Sequence, residues 1–227
     1  MKLEILYQDD RIVAINKPAG LMVHRSSMDT LETVFVLQLL RDQLGQHVFP
    51  VHRLDRKTSG VLMFALDSET TRLLQAELEK EETTKKYIAI VRGYFPQEMH
   101  LDYALSNDRG NVQDAVTDFE LVKTTELPVP FGKHQTSRYS LIEAYPKTGR
   151  THQIRKHCSH LRHPIIGDRK HGCNKQNKLF TEKWRLDGMM LHAESLSIVH
   201  PYSGKEMLFT AGENEEFKRM KSELSLG

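Results

Sequence analysis

The fold class that these 227 residues predict is α+β: one domain dominated by an antiparallel or mixed sheet with flanking helices. Three observations lead there. Apolar segments of strand length, GVLMFALD and KKYIAIVRG among them, recur along the chain. Segments with apolar residues at helical spacing lie between and after them. No repeat, low-complexity tract or linker-like stretch divides the sequence, although two packed lobes around a cleft also satisfy the pattern.

The chain opens with LEILYQ, the turn DD, RIVAIN and the turn KPAG, which together read as a β-hairpin. TLETVFVLQLLRDQLG then places Leu31, Val34, Val36 or Leu37, Leu40 and Leu44 at helical spacing, with Gly45 as the stop. HVFPVHRLD is short and extended, and GVLMFALD is a strand. In SETTRLLQAELEKE, Ser68 is the expected N-cap and Leu74 and Leu78 share one face. KKYIAIVRG, DFELVKT and SRYSLIEAY alternate as half-buried strands do. Prolines, acids and glycine around DFELVKT predict long loops between residues 102 and 137. THQIRKHCSHLRHP is expected to be a helix closed by Pro164, with Ile154, Cys158 and Leu161 on its buried stripe. MMLHAESLSIVHP and KEMLFTA complete the strands, and ENEEFKRMKSEL forms a last helix.

A hydrophobic content of 39% is enough for a core. No apolar run approaches the roughly 18 residues of a membrane span, and MKLEILYQDDRI turns acidic too early for a secretory signal, so a cytoplasmic protein is expected. Cys158 and Cys173 lie far apart without a CxxC spacing, which argues against a disulfide framework or a thiolate zinc site. The formal charge is only +2, but residues 147–185 hold eleven Lys or Arg against two acids, Asp168 and Glu182, along with five histidines. Such a segment fits a surface that tracks phosphates, or a solvated basic face.

Two constellations carry possible chemistry. HRLDRKTSG sets Asp55 between Arg53 and Arg56, with Lys57 behind them. An acid so surrounded is expected to work as an anion, as a nucleophile or electrostatic stabiliser, unless it is simply a surface ion pair. PKTGRTHQIRKH presents Lys147 and Arg150 at a turn before a helix start, where free N–H groups also favour anions. Arg155 lies one helical turn past Thr151 and is placed to reach a carboxylate as a bidentate pair. Other motifs fail. KTG at Lys147 has no SxxK partner, and KTSG at Lys57 lacks the upstream glycine of a P-loop. His152, His157, His160 and His163 resemble a metal cluster, but the last three drift across helix faces among cations, so no metal is expected.

In order, NKPAGLMVH (16–24), HRLDRKTSGVLMFAL (52–66), KKYIAIVRG (85–93), PKTGRTHQIRKH (146–157), RHPIIGD (162–168) and MLHA (190–193) resemble the RluA family of pseudouridine synthases over nearly the whole chain. The resemblance implies a mixed, largely antiparallel central sheet with an RNA-binding cleft and a cofactor-free isomerisation of uridine to pseudouridine. It also implies Asp55 as the catalytic aspartate, Arg155 as its salt-bridge partner, and Tyr87 as the residue that stacks on the target base and moves a proton. His52, Arg53, Arg56, Lys147, Arg150, His152 and Lys156 are the expected RNA contacts. LEILYQDD, GQHVFPVHRLD and LRHPIIGDRKHG are most similar to the branch of the family that modifies tRNA, at uridine 65. A ribosomal-RNA synthase and a catalytically silent RNA-binding protein remain the alternatives. No N-terminal S4-type domain, no membrane and no obligate protein partner are expected.

Overall fold

A computed structural model describes residues 1–24 and 34–227. Along the chain run β1 (Glu4–Gln8), β2 (Ile12–Lys17), α1 (Val36–Leu44), β3 (Phe49–Pro50), β4 (Ser59–Ala65), α2 (Ser68–Glu77), β5 (Thr84–Arg92) and β6 (Glu98–Asp102). They are followed by β7 (Leu105–Ser106), β8 (Val112–Gln113), β9 (Val116–Leu127), β10 (Ser137–Pro146), α3 (Gln153–His160), α4 (Asn174–Trp184), β11 (Leu191–Val199), β12 (Glu206–Thr210) and α5 (Glu215–Glu223). The fold is α+β, built on a large sheet whose strand pairs are mostly antiparallel. Its residues fall into two compact units, Met1–Lys85 with Ala193–Glu213, and Lys86–His192 with Asn214–Gly227.

In the first unit the strands run β1-β2-β4-β11, with β3 on β4 and β12 on β11. The opening hairpin is present, β1 against β2. Every residue of β4 is buried, which is why SGVLMFA reads as a continuous apolar run rather than an alternation. One face of β2 and β4 supplies Ile12, Ala14, Val61, Met63 and Ala65 to a core shared with Leu74, Leu196 and Phe209. Gly60 is required where β4 meets β11: at φ 113° its added Cβ would lie 2.1 Å from the Ala193 carbonyl oxygen.

The second unit orders its strands β5-β10-β9-β6, all antiparallel. Its core joins Ile88, Ile90, Phe119, Tyr139 and Ile142 to Ile154 and Cys158 of α3, Phe180 and Trp184 of α4, and Phe217 and Met220 of α5.

Several elements differ from the sequence expectation. Within the described residues α1 starts at Val36, because Phe35 is extended and Val34 is exposed; Leu31 lies outside the described residues. Gly45 does end the helix, in the left-handed region at φ 68°. The N-cap of α2 is Asp67, not Ser68: its carboxylate accepts the Thr70 N–H at 2.7 Å. DFELVKT is a strand as expected but part of a longer one, β9, and the short pair of β7 and β8 lies within the stretch expected as loop. β9 pairs with β10 from Thr117↔Pro146 to Leu127↔Ser137, so its ladder stands on backbone bonds that its polar sequence does not announce. Helix α3 stops at His160, three residues short of the expected end. Arg162 turns left-handed there at φ 63°, and the His163 N–H closes onto the Cys158 carbonyl. Helix α4 was not expected; its buried face is Gln176, Phe180 and Trp184, at i, i+4 and i+8.

Candidate active site

Asp55 sits half-buried in the loop before β4. The Thr58 N–H returns to the Asp55 carbonyl at 3.1 Å and closes a turn over Arg56 and Lys57. A second turn, the KPAG that follows β2, clamps the first. The Gly20 N–H donates to the Arg56 carbonyl at 2.8 Å, and Arg56 Nε donates back to the Gly20 carbonyl at 3.0 Å. Beneath both lies Lys17, with a relative exposure of 0%. Its Nζ donates to the carbonyls of Pro18 (2.8 Å), Leu21 (2.8 Å) and Arg56 (3.2 Å), using all three ammonium protons to tie the turns together. Burial pulls the Lys17 pKa down to about 7, while the negative charge of Asp55 acts in the opposite direction. Lys17 is thus a positioning residue for the Asp55 loop that sequence reasoning missed, although NKPAG carried it. A Lys at the end of a strand reads as solvated; only the fold shows it opposite Gly60 of β4 with its Nζ among three carbonyls. In the same loop the hydroxyl of Thr58 is buried and has no hydrogen-bond partner among the described residues.

His52 and Arg53 precede Asp55. Burial and the charge of Lys85 hold His52 at a pKa of about 4, so it is neutral at physiological pH. Its Nε2 accepts the Met63 N–H at 3.1 Å, which makes it a brace for β4 rather than a cation. Arg53 and Arg56 are exposed.

In the second unit Tyr87 is partly buried on β5, opposite Ala144 of β10, and packs against the core. The expected alternation is not seen: Lys85, Lys86 and Tyr87 are all partly buried. From Ile88 to Val91 both faces are buried, Ala89 included.

Arg155, on the buried side of α3, meets Asp168 as a bidentate pair: Nε to Oδ2 at 2.8 Å and Nη2 to Oδ1 at 2.8 Å. The side chains are 10% and 1% exposed. Oδ1 also accepts the N–H groups of Lys170 and His171, at 2.9 and 3.0 Å. Burial raises the Asp168 pKa, but Arg155 and the two N–H groups outweigh it and hold the carboxyl below the usual carboxylate range. The turn that presents Asp168 depends on α4. Asn177 accepts the Gly167 N–H at 2.9 Å and donates to the Asp168 carbonyl at 2.7 Å. Gly167 is needed because a Cβ there would lie 1.9 Å from the Gly188 carbonyl oxygen. In the sequence Asp168 counted as an acid within a basic segment and as the end of RHPIIGD; a pairing 13 positions apart, from α3 to the turn beyond it, leaves no periodic signal.

The TGRTHQ turn is held by Gln153, which makes all four of its amide hydrogen bonds. It accepts from Thr148 Oγ1 and Arg150 N–H, and donates to the Val116 carbonyl and Thr117 Oγ1. The network continues into His157, whose Nε2 donates to the Tyr103 carbonyl at 3.0 Å. Its Nδ1 therefore accepts from Thr117 Oγ1 at 2.9 Å when the ring is neutral, and burial lowers its pKa. Each of the other histidines has its own task. His152, left-handed at φ 57°, pairs with His171 at 2.9 Å; His160 stacks on Tyr103; His163 donates to the Arg92 carbonyl. Among the described residues no group of three or more His, Cys, Asp or Glu side chains has a metal-binding arrangement. Lys147 is exposed, 3.4 Å from Asp118. Arg150 Nε reaches the Asp114 carbonyl and Lys156 Nζ the Ser106 carbonyl, so both cations also anchor the residues around β7 and β8.

Comparison with known proteins bears on this arrangement. Residues 11–160 match the family model described as RNA pseudouridylate synthase. The chain is 50% identical over 220 residues to tRNA pseudouridine synthase C of Vibrio vulnificus, covering 92% of this chain and 90% of the relative. It is 45% identical over 232 residues to the protein of the same name from Haemophilus influenzae, covering 97% of both. Among solved structures, the human RNA pseudouridylate synthase domain-containing proteins 4 and 1 superpose with TM-scores of 0.75 and 0.73, each at 24% identity. Those alignments cover 98% and 93% of this chain, and 93% and 84% of theirs, and they show the shared fold.

Proposed function

The chain belongs to the RNA pseudouridylate synthase family, and from that premise we propose that it isomerises uridine to pseudouridine in tRNA, at uridine 65. The observation that carries the choice of tRNA is the near-complete, 45–50% identical overlap with relatives named tRNA pseudouridine synthase C. In this reaction the N1–C1′ bond breaks, a C5–C1′ bond forms, and the proton lost from C5 is replaced by one on N1. Product and substrate hold the same atoms, so the step consumes no oxidant, reductant or co-substrate. Asp55 is the group proposed to act on the sugar, by attack or by abstracting a sugar proton; the turns clamped by Lys17 support this by fixing its backbone. Arg155 is proposed as the counter-charge for catalysis, and Asp168 is what keeps its guanidinium in one orientation. The target nucleotide must leave its stack, at roughly a few kcal/mol, and phosphate contacts at Arg53, Arg56, Lys147, Arg150 and Lys156 offset that cost. The neutral, internally bonded His52 and the paired His152 are better read as supports for these loops.

The test is to incubate the protein with unmodified tRNA and ribosomal-RNA transcripts and map pseudouridine by carbodiimide-dependent primer-extension stops. A single stop next to position 65 of tRNA is expected. Modification of ribosomal RNA alone would replace the substrate, and tRNA binding without any product would establish the silent RNA-binding alternative.

Tyr87 separates stacking from proton transfer. Tyr87→Phe keeps the ring and is expected to lose about 10²-fold in single-turnover rate, at the low end of general acid–base effects, with tRNA affinity within twofold. Tyr87→Leu is expected to lose affinity as well, by about 1–3 kcal/mol. Full activity in the Phe variant would remove the proton role, and unchanged binding by the Leu variant would remove the stacking.

Lys147→Gln is expected to weaken every tRNA alike and to reduce the slope of log Kd against log salt by about one. A slope equal to the parent's would take Lys147 out of the interface.

A further inference from the structure

We propose that the open cleft of about 320 Å³ between the C-terminal end of α4 and α5 binds a backbone phosphate of the RNA substrate; the proposal rests on reading the chain as an RNA-modifying enzyme. Lys183, Trp184, Arg185, Arg219 and Glu223 line the cleft. Arg219 is already answered by Glu216, with Nε to Oε2 at 2.9 Å and Nη2 to Oε1 at 2.8 Å. Lys183 and Arg185 are not: among the described residues neither meets a carboxylate, and neither side chain donates a hydrogen bond.

Cations at a helix C-terminus often serve the helix itself, by approaching its last carbonyls. Here that task is already done. The Arg185 N–H closes onto the Phe180 and Thr181 carbonyls, and the Leu186 N–H onto Phe180. Arg185 also holds a left-handed backbone at φ 53°, where glycine or asparagine is more comfortable, so local structure gives no reason for an arginine. Trp184 adds a neutral donor. Its ring packs on Phe180 with centroids 4.7 Å apart, and Lys183 Nζ lies 5.4 Å from the ring centre. The indole Nε1 makes no hydrogen bond among the described residues and is not one of the buried unpartnered atoms, so it keeps some exposure to solvent. With Lys183, Arg185 and Arg219 against the single carboxylate of Glu223, the lining of the cleft is net positive and suits the oxyanion of a phosphodiester whose chain continues past the site.

The chain has one tryptophan, so intrinsic indole fluorescence reports on this cleft alone. Titration of the parent with an unmodified tRNA transcript is expected to change Trp184 emission with the same midpoint as binding measured by filter retention. The variant Lys183→Gln/Arg185→Gly keeps the fold, because glycine suits the left-handed cap, and its thermal midpoint should equal or exceed the parent's. Its tRNA Kd is expected to rise about tenfold, and its salt slope to fall by about 0.7–0.9, as one lost phosphate contact requires. Turnover at saturating tRNA should stay within twofold. Unchanged affinity and slope would overturn the proposal. So would a Trp184 response to inorganic phosphate that the variant loses while binding tRNA like the parent, since the cleft would then take a free anion. If the parent bound tRNA in this way yet made no pseudouridine, the functional reading would fail and the phosphate site would stand.

Discussion

Asp55→Asn is expected to abolish turnover while leaving folding and tRNA affinity close to those of the parent. The amide has the shape of the carboxylate, and the clamps around the loop run from Lys17 Nζ, Arg56 Nε and the N–H groups of Gly20 and Thr58 to backbone carbonyls. What is lost is the negative charge proposed to attack or deprotonate the sugar. The expected fall in single-turnover rate is at least about 10³-fold, or ~4 kcal/mol of barrier. A variant that still makes pseudouridine within about tenfold of the parent would remove Asp55 from the chemistry. A variant that melts early would instead show that its charge, acting on buried Lys17, holds the turns together.

The second large effect is on stability. Asp168→Ala takes away the carboxylate that holds Arg155 Nε and Nη2, and with it the acceptor of the Lys170 and His171 N–H groups. Removing one member of a buried pair leaves the other poorly solvated, so a loss of about 3–5 kcal/mol in urea unfolding is expected. The pH dependence has a definite sign. The folded-state pKa of Asp168 is depressed, so its contribution is fully present above the unfolded value of about 3.9 and is lost as pH falls through the folded value. Parent and variant should therefore differ most near neutrality and converge in acid. A difference under about 1 kcal/mol at pH 7 would mean that the guanidinium is held by its other surroundings.

The hairpin, the stop at Gly45, the apolar run of β4 and helix α5 were legible because each rests on local rules: turn chemistry, capping and periodicity. Helix α4 was not, since NKQNKLFTEKW offers only Phe180 and Trp184 as strong apolar positions on its buried face, and the third is Gln176. That glutamine is buried because its amide donates to the Tyr139 hydroxyl at 2.5 Å, a partner 37 residues away. β9 was half seen for the opposite reason. Its outer residues are polar, and it is a strand because β10 and β6 flank it.

By itself the sequence determined the fold class, the family, and the set of Asp55, Tyr87 and Arg155 as the residues to watch, because motif identity and short-range periodicity are properties of neighbours along the chain. Tertiary structure decided which groups hold them. Lys17 serves the Asp55 turn, Asp168 and Asn177 serve Arg155, and His52 accepts the Met63 N–H of β4. The physical reason is the same in each case. The charge state and partners of a polar side chain are set by burial and by carbonyls, amides and carboxylates that arrive from distant segments, and a linear spacing does not encode that environment.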